Sequence, residues 1–325
     1  MMDLRMNRIL YLLPVLTLVM CSREEPEKPQ TEFSESGGNK VEIKVMSSNV
    51  RNGQSDAGIQ LWSYRKNAYM AMLSDTQPDI AGMQEAKDNT VSDLSIMSEY
   101  SFYRVAEYDG SDPTVTNGHL PPNVIMYRTS KFRMLDAGVF YYNANDPDRP
   151  VHYPFGASSW QVRGCVWVKL AVKANGKVIY FFNTHYAHDP DPEDPAQEKV
   201  YNIEPRRKAS ELLVSKMEEL VSEQDAAVFA VGDLNCSLYD NATRNGPYSL
   251  EPLNEYMWSA REDAASYDGF ISFNGFSLTY SRMSGNIDHI FYRGAEAGDF
   301  RTVNGHGYGV EIISDHYPVT CTFKL

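Results

Sequence analysis

From residue 41 onward, apolar and polar positions alternate in short bursts. Val41, Ile43 and Val45 alternate with Glu42, Lys44 and Met46, the period of two expected of a half-buried strand. The run ends at Ser48-Asn49. Tyr64 to Ser74 has helical character, and Pro78-Asp79 restarts the chain into Ile80-Ala81-Gly82-Met83-Gln84-Glu85, a short buried strand that completes a strand-helix-strand unit. β-rich segments follow at 101–107, 123–128, 132–143 and 165–172, and Asn175-Gly176 between Val172 and Val178 predicts a two-residue hairpin turn. A strand from Val178 to Asn183 delivers Thr184-His185. The stretch from Pro205 to Ser222 places Ala209, Leu212, Leu213, Met217, Leu220 and Val221 on one helical face. Ala226 to Val231 is an apolar strand ending in Gly232-Asp233-Leu234-Asn235, and 287–292 and 317–323 are the clearest strands of the last third. Many strands and few long helices predict an α/β sandwich in which helices cover two packed sheets.

The first forty residues follow another pattern. Arg5 and Arg8 precede an apolar run, Ile9 to Met20, broken only by Pro14 and Thr17 and too short to span a bilayer well. It stops at Leu18-Val19-Met20-Cys21, which resembles a bacterial lipoprotein precursor whose Cys21 thiol takes a diacylglyceryl group after cleavage. Met20 departs from the usual small residue, and an uncleaved signal anchor is the alternative. Residues 22–40 are polar, acidic and rich in Pro, Ser and Gly, the composition of a disordered tether. Their Ser22-Arg23-Glu24-Glu25 start looks like the surface-export signals of some Bacteroidetes lipoproteins. The expected organisation is a signal peptide over 1–21, a tether over 22–40 and one domain over 41–325.

Composition narrows the function classes. With 42% hydrophobic and 22% charged residues in a chain of 325, the protein is globular rather than disordered or coiled-coil. Its net charge of -13 has the wrong sign for sequence-independent neutralisation of nucleic-acid phosphates. Four cysteines without a CxxC pair make neither a disulfide scaffold nor a zinc ribbon.

Polar residues recur at strand ends. Asn49, Glu85, His185, Asp233 and Asn235 follow apolar strands, Asp288 opens one, and Asp315-His316 precede another. If the last two strands run antiparallel to the others, all of these meet at one edge of the sheets. Metal-assisted phosphoester cleavage needs such a set. Mg²⁺ or Mn²⁺ takes carboxylate and amide oxygens, for which Glu85, Asn49 and Asp315 are candidates. An imidazole held by a carboxylate serves as base, which suggests Asp288 with His316. Charge on the phosphoryl oxygens calls for donors, for which His185, Asn235 and Arg163 are available.

The stretches SSNVRNG (47–53), DIAGMQEA (79–86), NTHYAH (183–188), VGDLNCS (231–237), GNIDHIFYR (285–293) and SDHYPV (314–319) resemble, in order, the signature blocks of the endonuclease/exonuclease/phosphatase superfamily. The resemblance covers residues 41–325 and implies the deoxyribonuclease I-like fold: an α/β (α+β) four-layer sandwich of two packed mixed β-sheets flanked by helices. It further implies Glu85 as main metal ligand with Asn49 and Asp315 nearby, and Asp233 and Asn235 orienting the nucleophile and contacting the scissile phosphate. His185 would donate to a phosphate oxygen and His316 would act as base or acid oriented by Asp288. The group that activates water stays open between Asp233 and the histidines.

Asp189, Asp191, Glu193 and Asp194 read as a solvated loop, Arg206, Arg207 and Lys208 as a soluble helix face, and Trp62, Trp160, Trp167 and Trp258 as core or pocket wall. Cys165, Cys236 and Cys321 allow at most one disulfide. Trp160, Arg163 and the Phe276 to Tyr280 segment look most like the secreted bacterial branch of the superfamily, although Leu120-Pro121-Pro122 stands where an acidic residue is expected there. A charge of -12 on residues 41–325 favours short or small phosphoesters over duplex DNA. The expected protein is an exported monomer, held to the outer membrane only by its lipid. Two alternatives are a non-catalytic surface lipoprotein binding a glycan or protein partner, and a zinc hydrolase of acyl or sulfate esters, whose closely spaced His/Asp ligand pairs the sequence lacks.

Overall fold

The computed structural model describes residues 40–53, 55–105, 116, 119–189, 202–238, 249–279, 285–304 and 307–325. The signal-like segment with Cys21, nearly all of the tether, and Asp191, Glu193 and Asp194 lie outside the described residues. The chain runs through β1 (Glu42–Asn49), α1 (Trp62–Thr76), β2 (Ile80–Gln84), α2 (Asp88–Leu94), β3 (Tyr100–Arg104), β4 (Val124–Arg128) and β5 (Phe132–Tyr141). It continues with β6 (Gly164–Val172), β7 (Val178–His185), α3 (Ile203–Leu220), β8 (Ala227–Asp233), α4 (Glu251–Tyr256), β9 (Trp258–Ser259) and α5 (Ala260–Asp263). It ends with β10 (Ser266–Tyr267), β11 (Asp288–Arg293), β12 (Glu296–Thr302) and β13 (Val319–Lys324).

These strands form two mixed sheets, ordered β10-β12-β13-β1-β2-β4-β3 and β5-β6-β7-β8-β11-β9. The sheets pack face to face through Ile43, Val45, Ile80, Ile125, Val168, Phe181, Phe229, Val231 and Phe323. On the outer face of the first sheet, Met46, Ala81, Met83 and Met126 pack against Tyr69, Met72 and Leu73 of α1. On the outer face of the second, Tyr180, Phe182, Val228 and Ala230 pack against Leu213 and Met217 of α3. Four layers result. Because both faces are covered, the central strands are apolar throughout rather than alternating, so β1 is buried on both faces from Val45 onward and not half-buried.

Strand directions bring the polar ends together. β1 runs parallel to β2, and β7 parallel to β8. β13 runs antiparallel to β1, and β11 antiparallel to β8. The C-terminal ends of β1, β2, β7 and β8 therefore meet the N-terminal ends of β11 and β13 along one edge of the sandwich. Two glycines permit the approach: a Cβ on Gly82 would stand 2.4 Å from Val231 Cγ2, and one on Gly232 2.1 Å from the Thr184 carbonyl oxygen.

Two expectations change. The β6-β7 hairpin closes on a four-residue loop, 173–176, because Val172 N–H bonds to Lys177 O at 2.9 Å and Gly176 N–H to Val172 O at 2.8 Å. Within that loop only Gly176 has positive φ, whereas a two-residue type I′ turn needs it at both central positions. Arg206 is no part of a soluble face; it is fully buried, donates to Ala187 O and pairs with Asp189 at 3.0 Å.

Candidate active site

At the shared edge, left-handed backbone turns follow three of the strands. Arg51, Glu85 and Asn235 have φ of 48°, 57° and 53°, a conformation costing about 1–3 kcal/mol in a residue with a side chain. Each sits one or two residues beyond β1, β2 or β8, where the chain must turn sharply away from the sheet.

Asp233 is the hub. Its Oδ2 accepts from Asn49 Nδ2 at 3.0 Å and lies 3.3 Å from His185 Nε2 and 3.6 Å from His316 Nε2. Its Oδ1 accepts the Asn235 N–H at 3.0 Å. Asn49 Nδ2 also reaches Glu85 Oε1 at 3.2 Å, so one amide bridges a carboxylate from each sheet. His316 Nδ1 donates to Asp288 Oδ2 at 2.8 Å, while Asp288 Oδ1 is buried without a partner. Ser314 Oγ donates to Asn49 O at 2.7 Å and lies 3.3 Å from Asp315 Oδ1, which sets the Asp315 loop beside β1.

The charges are strained. Burial, reinforced by Asp288, pushes the Asp233 carboxyl up to about 7, against the pull of His316. Burial and the Glu85 charge likewise raise Asp315. Burial opposes charge on His316, but Asp288 and Asp233 outweigh it and hold the imidazole protonated well above its usual range. His185 is driven the other way, by burial first and then by Arg163, so it stands neutral with Nε2–H toward Asp233 and Nδ1 unpartnered. Arg163, buried with an unpartnered Nε, acts on Glu85 and Asp233 and is lowered to about 10 by burial. Glu85, Asp233, Asp288 and Asp315 thus crowd together, with His316, Arg163 and Arg51 as the cations beside them, a set of oxygen donors that fits a hard divalent ion. One ligand atom each from Asp233, Asp288 and His316 lies within 4.8 Å of the others.

A family model, the Endonuclease/Exonuclease/phosphatase family, matches residues 46–316. The chain belongs to the endonuclease/exonuclease/phosphatase family. Members of this family are phosphoester hydrolases that use divalent metals. Among solved structures, an endonuclease/exonuclease/phosphatase from Bacteroides vulgatus is 24% identical with a TM-score of 0.69, covering 88% of this chain and 100% of that one. A mannosyl-6-phosphatase from Bacteroides thetaiotaomicron is 24% identical with a TM-score of 0.69, covering 86% and 99%. Caenorhabditis elegans TDP2 is 18% identical with a TM-score of 0.60, covering 87% and 98%. These likenesses show the deoxyribonuclease I-like fold. Comparison with curated proteins gave no match.

Asn49, Glu85, Arg163, His185, Asp233, Asn235, Asp288, Asp315 and His316 lie at this edge of the family fold, while Cys21 lies outside the described residues. Asn235 turns its amide nitrogen to Tyr186 O at 3.0 Å, and Arg163 donates to Gln161 and lies 3.4 Å from His188 Nδ1. Sequence reasoning missed the support beneath. Gln84 Nε2 donates to Asn183 Oδ1 at 2.7 Å, and Asn183 Nδ2 to the carbonyls of Met83 and Val124, stitching the sheets together under the site. Buried Arg65 ties together the carbonyls of Val50, Arg51, Gln60 and Ile313, fixing the loops that carry Asn49 and Asp315. A polar residue inside an apolar strand was the available signal for Gln84 and Asn183; Arg65 gave none. Trp62 and Trp167 are core as expected, but Trp160 and Trp258 are exposed, and no disulfide joins the three described cysteines.

Proposed function

We propose that the protein is a divalent-metal-dependent phosphoesterase, hydrolysing a phosphomonoester or phosphodiester by attack of water on phosphorus. The observation that carries this reading is the convergence of Glu85, Asn49, Asp233, Asp288, Asp315 and His316 from the ends of both sheets, with the Asp233 carboxylate at its centre. Glu85 and Asp315 would hold Mg²⁺ or Mn²⁺, joined by Asn49 once its amide turns its oxygen from the Arg51 N–H toward them. His316 is less suited to ligation, since its Nδ1 is engaged on Asp288 and its charge repels a cation. The bound ion supplies Lewis-acid stabilisation of charge on the phosphoryl oxygens.

The chain's own groups do the rest. Asp233, its carboxyl raised by burial and by Asp288, can take a proton from water, and Asn235 fixes it through the backbone N–H. The Arg163 guanidinium donates to phosphoryl oxygens, and His185 Nε2–H, which faces Asp233 at 3.3 Å here, turns to them when substrate is bound. His316, kept charged by Asp288, stabilises the developing negative charge and can protonate the leaving oxygen. The -12 charge of residues 41–325 supports a small substrate over a long polyanion, and the mannosyl-6-phosphatase likeness supports a phosphomonoester. The location proposed is the outer membrane, through diacylglycerylated Cys21, with a monomer as the working unit; Cys21→Ala should release the protein into the soluble fraction, and continued membrane association would favour an uncleaved anchor.

The test is a panel of nucleic acids, nucleotides, inositol phosphates, phospholipids, sugar phosphates and p-nitrophenyl phosphoesters, each with and without Mg²⁺ or Mn²⁺. Metal-dependent release of phosphate or alcohol from at least one is expected. No turnover on any, with the fold intact, would leave the non-catalytic surface lipoprotein as the better reading.

A further inference from the structure

Arg51 stands between the site and a further carboxylate, Asp56. It lies two residues past β1, in the left-handed turn after Asn49, and Arg65 fixes its carbonyl through an Nη2 hydrogen bond of 2.5 Å. One edge of its guanidinium is anchored. Nε and Nη2 lie 3.1 and 3.0 Å from Oδ1 of Asp56, whose other oxygen accepts the Gly53 N–H at 2.7 Å. The Asp56 side chain is only 2% exposed, and it presses so close to the turn that a Cβ on Gly53 would stand 2.4 Å from Oδ1. The Nη1 edge is left to face Asp315, at 3.7 Å from Oδ2. Meanwhile the Arg51 N–H occupies Asn49 Oδ1 at 3.0 Å. Arg51 thus engages two of the three groups assigned to the metal, and its charge also acts on the third, Glu85.

We infer that Arg51 competes with the divalent ion for Asp315 and thereby sets the metal affinity of the protein; this rests on the metal-dependent reading above. A second cation brought to the same carboxylate meets the guanidinium already there, and like charges at that range repel. Arg51 can yield at little cost. Its two short contacts to Asp56 survive the loss of the longer one to Asp315, and with 35% of the side chain exposed the freed edge meets water. The arrangement needs the arginine fork and not charge alone. A lysine ammonium is one bond shorter and has no second edge, so at this position it settles on Asp56 and leaves Asp315 to the ion.

The test titrates Mn²⁺ into the metal-free, full-length protein and follows binding by loss of the free-ion electron paramagnetic resonance signal, with no substrate present. Arg51→Gln and Arg51→Lys should each tighten Mn²⁺ binding by about 5-fold, the upper end for a partly exposed ion pair. Neither gain should survive in an Asp315→Asn background. If Arg51→Gln tightens binding and Arg51→Lys matches wild type, the inference is overturned in favour of charge acting at a distance. Unchanged or weaker binding in Arg51→Gln overturns it too, by making Arg51 a support of the turn. An Asp315→Asn variant that binds like wild type overturns the competition for that carboxylate. In each of these cases wild-type binding leaves the metal reading standing. Wild-type protein that takes up no Mn²⁺ overturns the metal reading, and the inference with it.

Discussion

The chain contains two Asp-His dipeptides, Asp288-His289 and Asp315-His316, and the fold gives their histidines opposite states. Asp288 opens β11, so strand alternation sends its carboxylate to the site and the next side chain to the other face. There His289 stacks on Phe291 at 5.8 Å and donates Nε2–H to Cys236 O at 2.8 Å, and burial pushes its pKa down to about 4. Asp315-His316 lie in the loop before β13, where no alternation applies, and both side chains reach the site. Asp288 and Asp233 then keep His316 charged despite equal burial. The difference teaches that strand phase and the carboxylates in view assign a histidine's task; the dipeptide itself does not.

The largest effect should come from removing the cation. With excess chelator, hydrolysis should fall to background and return with Mg²⁺ or Mn²⁺, because the crowded carboxylates around His316 otherwise repel an anionic substrate. Full activity in chelator would break the assignment of Asp315 to the metal side of its pair. Next in size, His316→Ala should lower kcat by at least ~10²-fold, while His289→Gln leaves it within about twofold. Equal losses in the two variants would mean that His289 and His316 do not differ in their task. Asp288→Asn should cost about 10-fold and move a limb of the pH profile. Without that carboxylate the His316 pKa drops, so the limb on which activity falls as His316 loses its proton shifts to lower pH. A limb that stays in place would show that Asp288 does not set the charge of His316.

How much of this the sequence displayed depends on the kind of residue. Strand ends were legible because apolar runs such as Ala226 to Val231 stop abruptly at polar residues, and antiparallel β11 and β13 then brought those ends together. Alternation from Asp288 through Ile290 and Tyr292 also marked His289 as facing away, had it been followed through the dipeptide. Arg65 was illegible: its partners are backbone carbonyls of Val50, Arg51, Gln60 and Ile313, and a carbonyl carries no side-chain signature. The exposure of Trp160 was equally hidden, since it depends on which loops fail to cover the ring.

The smallest expected effect concerns stability and separates the two histidines by sign. His289 has a folded pKa depressed from 6.5 to about 4, so its contribution is present above 6.5 and is lost as pH falls towards 4. Between pH 7.5 and 5.5 this amounts to about 1 kcal/mol. His316, raised instead, contributes stability below 6.5 that is lost as pH rises through its folded value. Urea unfolding of wild type and His289→Gln at the two pH values isolates the first term, because His185, His188 and Asp233 titrate alike in both proteins. The variant should lose about 1 kcal/mol less on acidification than wild type. An identical pH dependence would mean that the His289 imidazole is not held neutral in the folded state, and the contrast between the two dipeptides would then rest on catalysis alone.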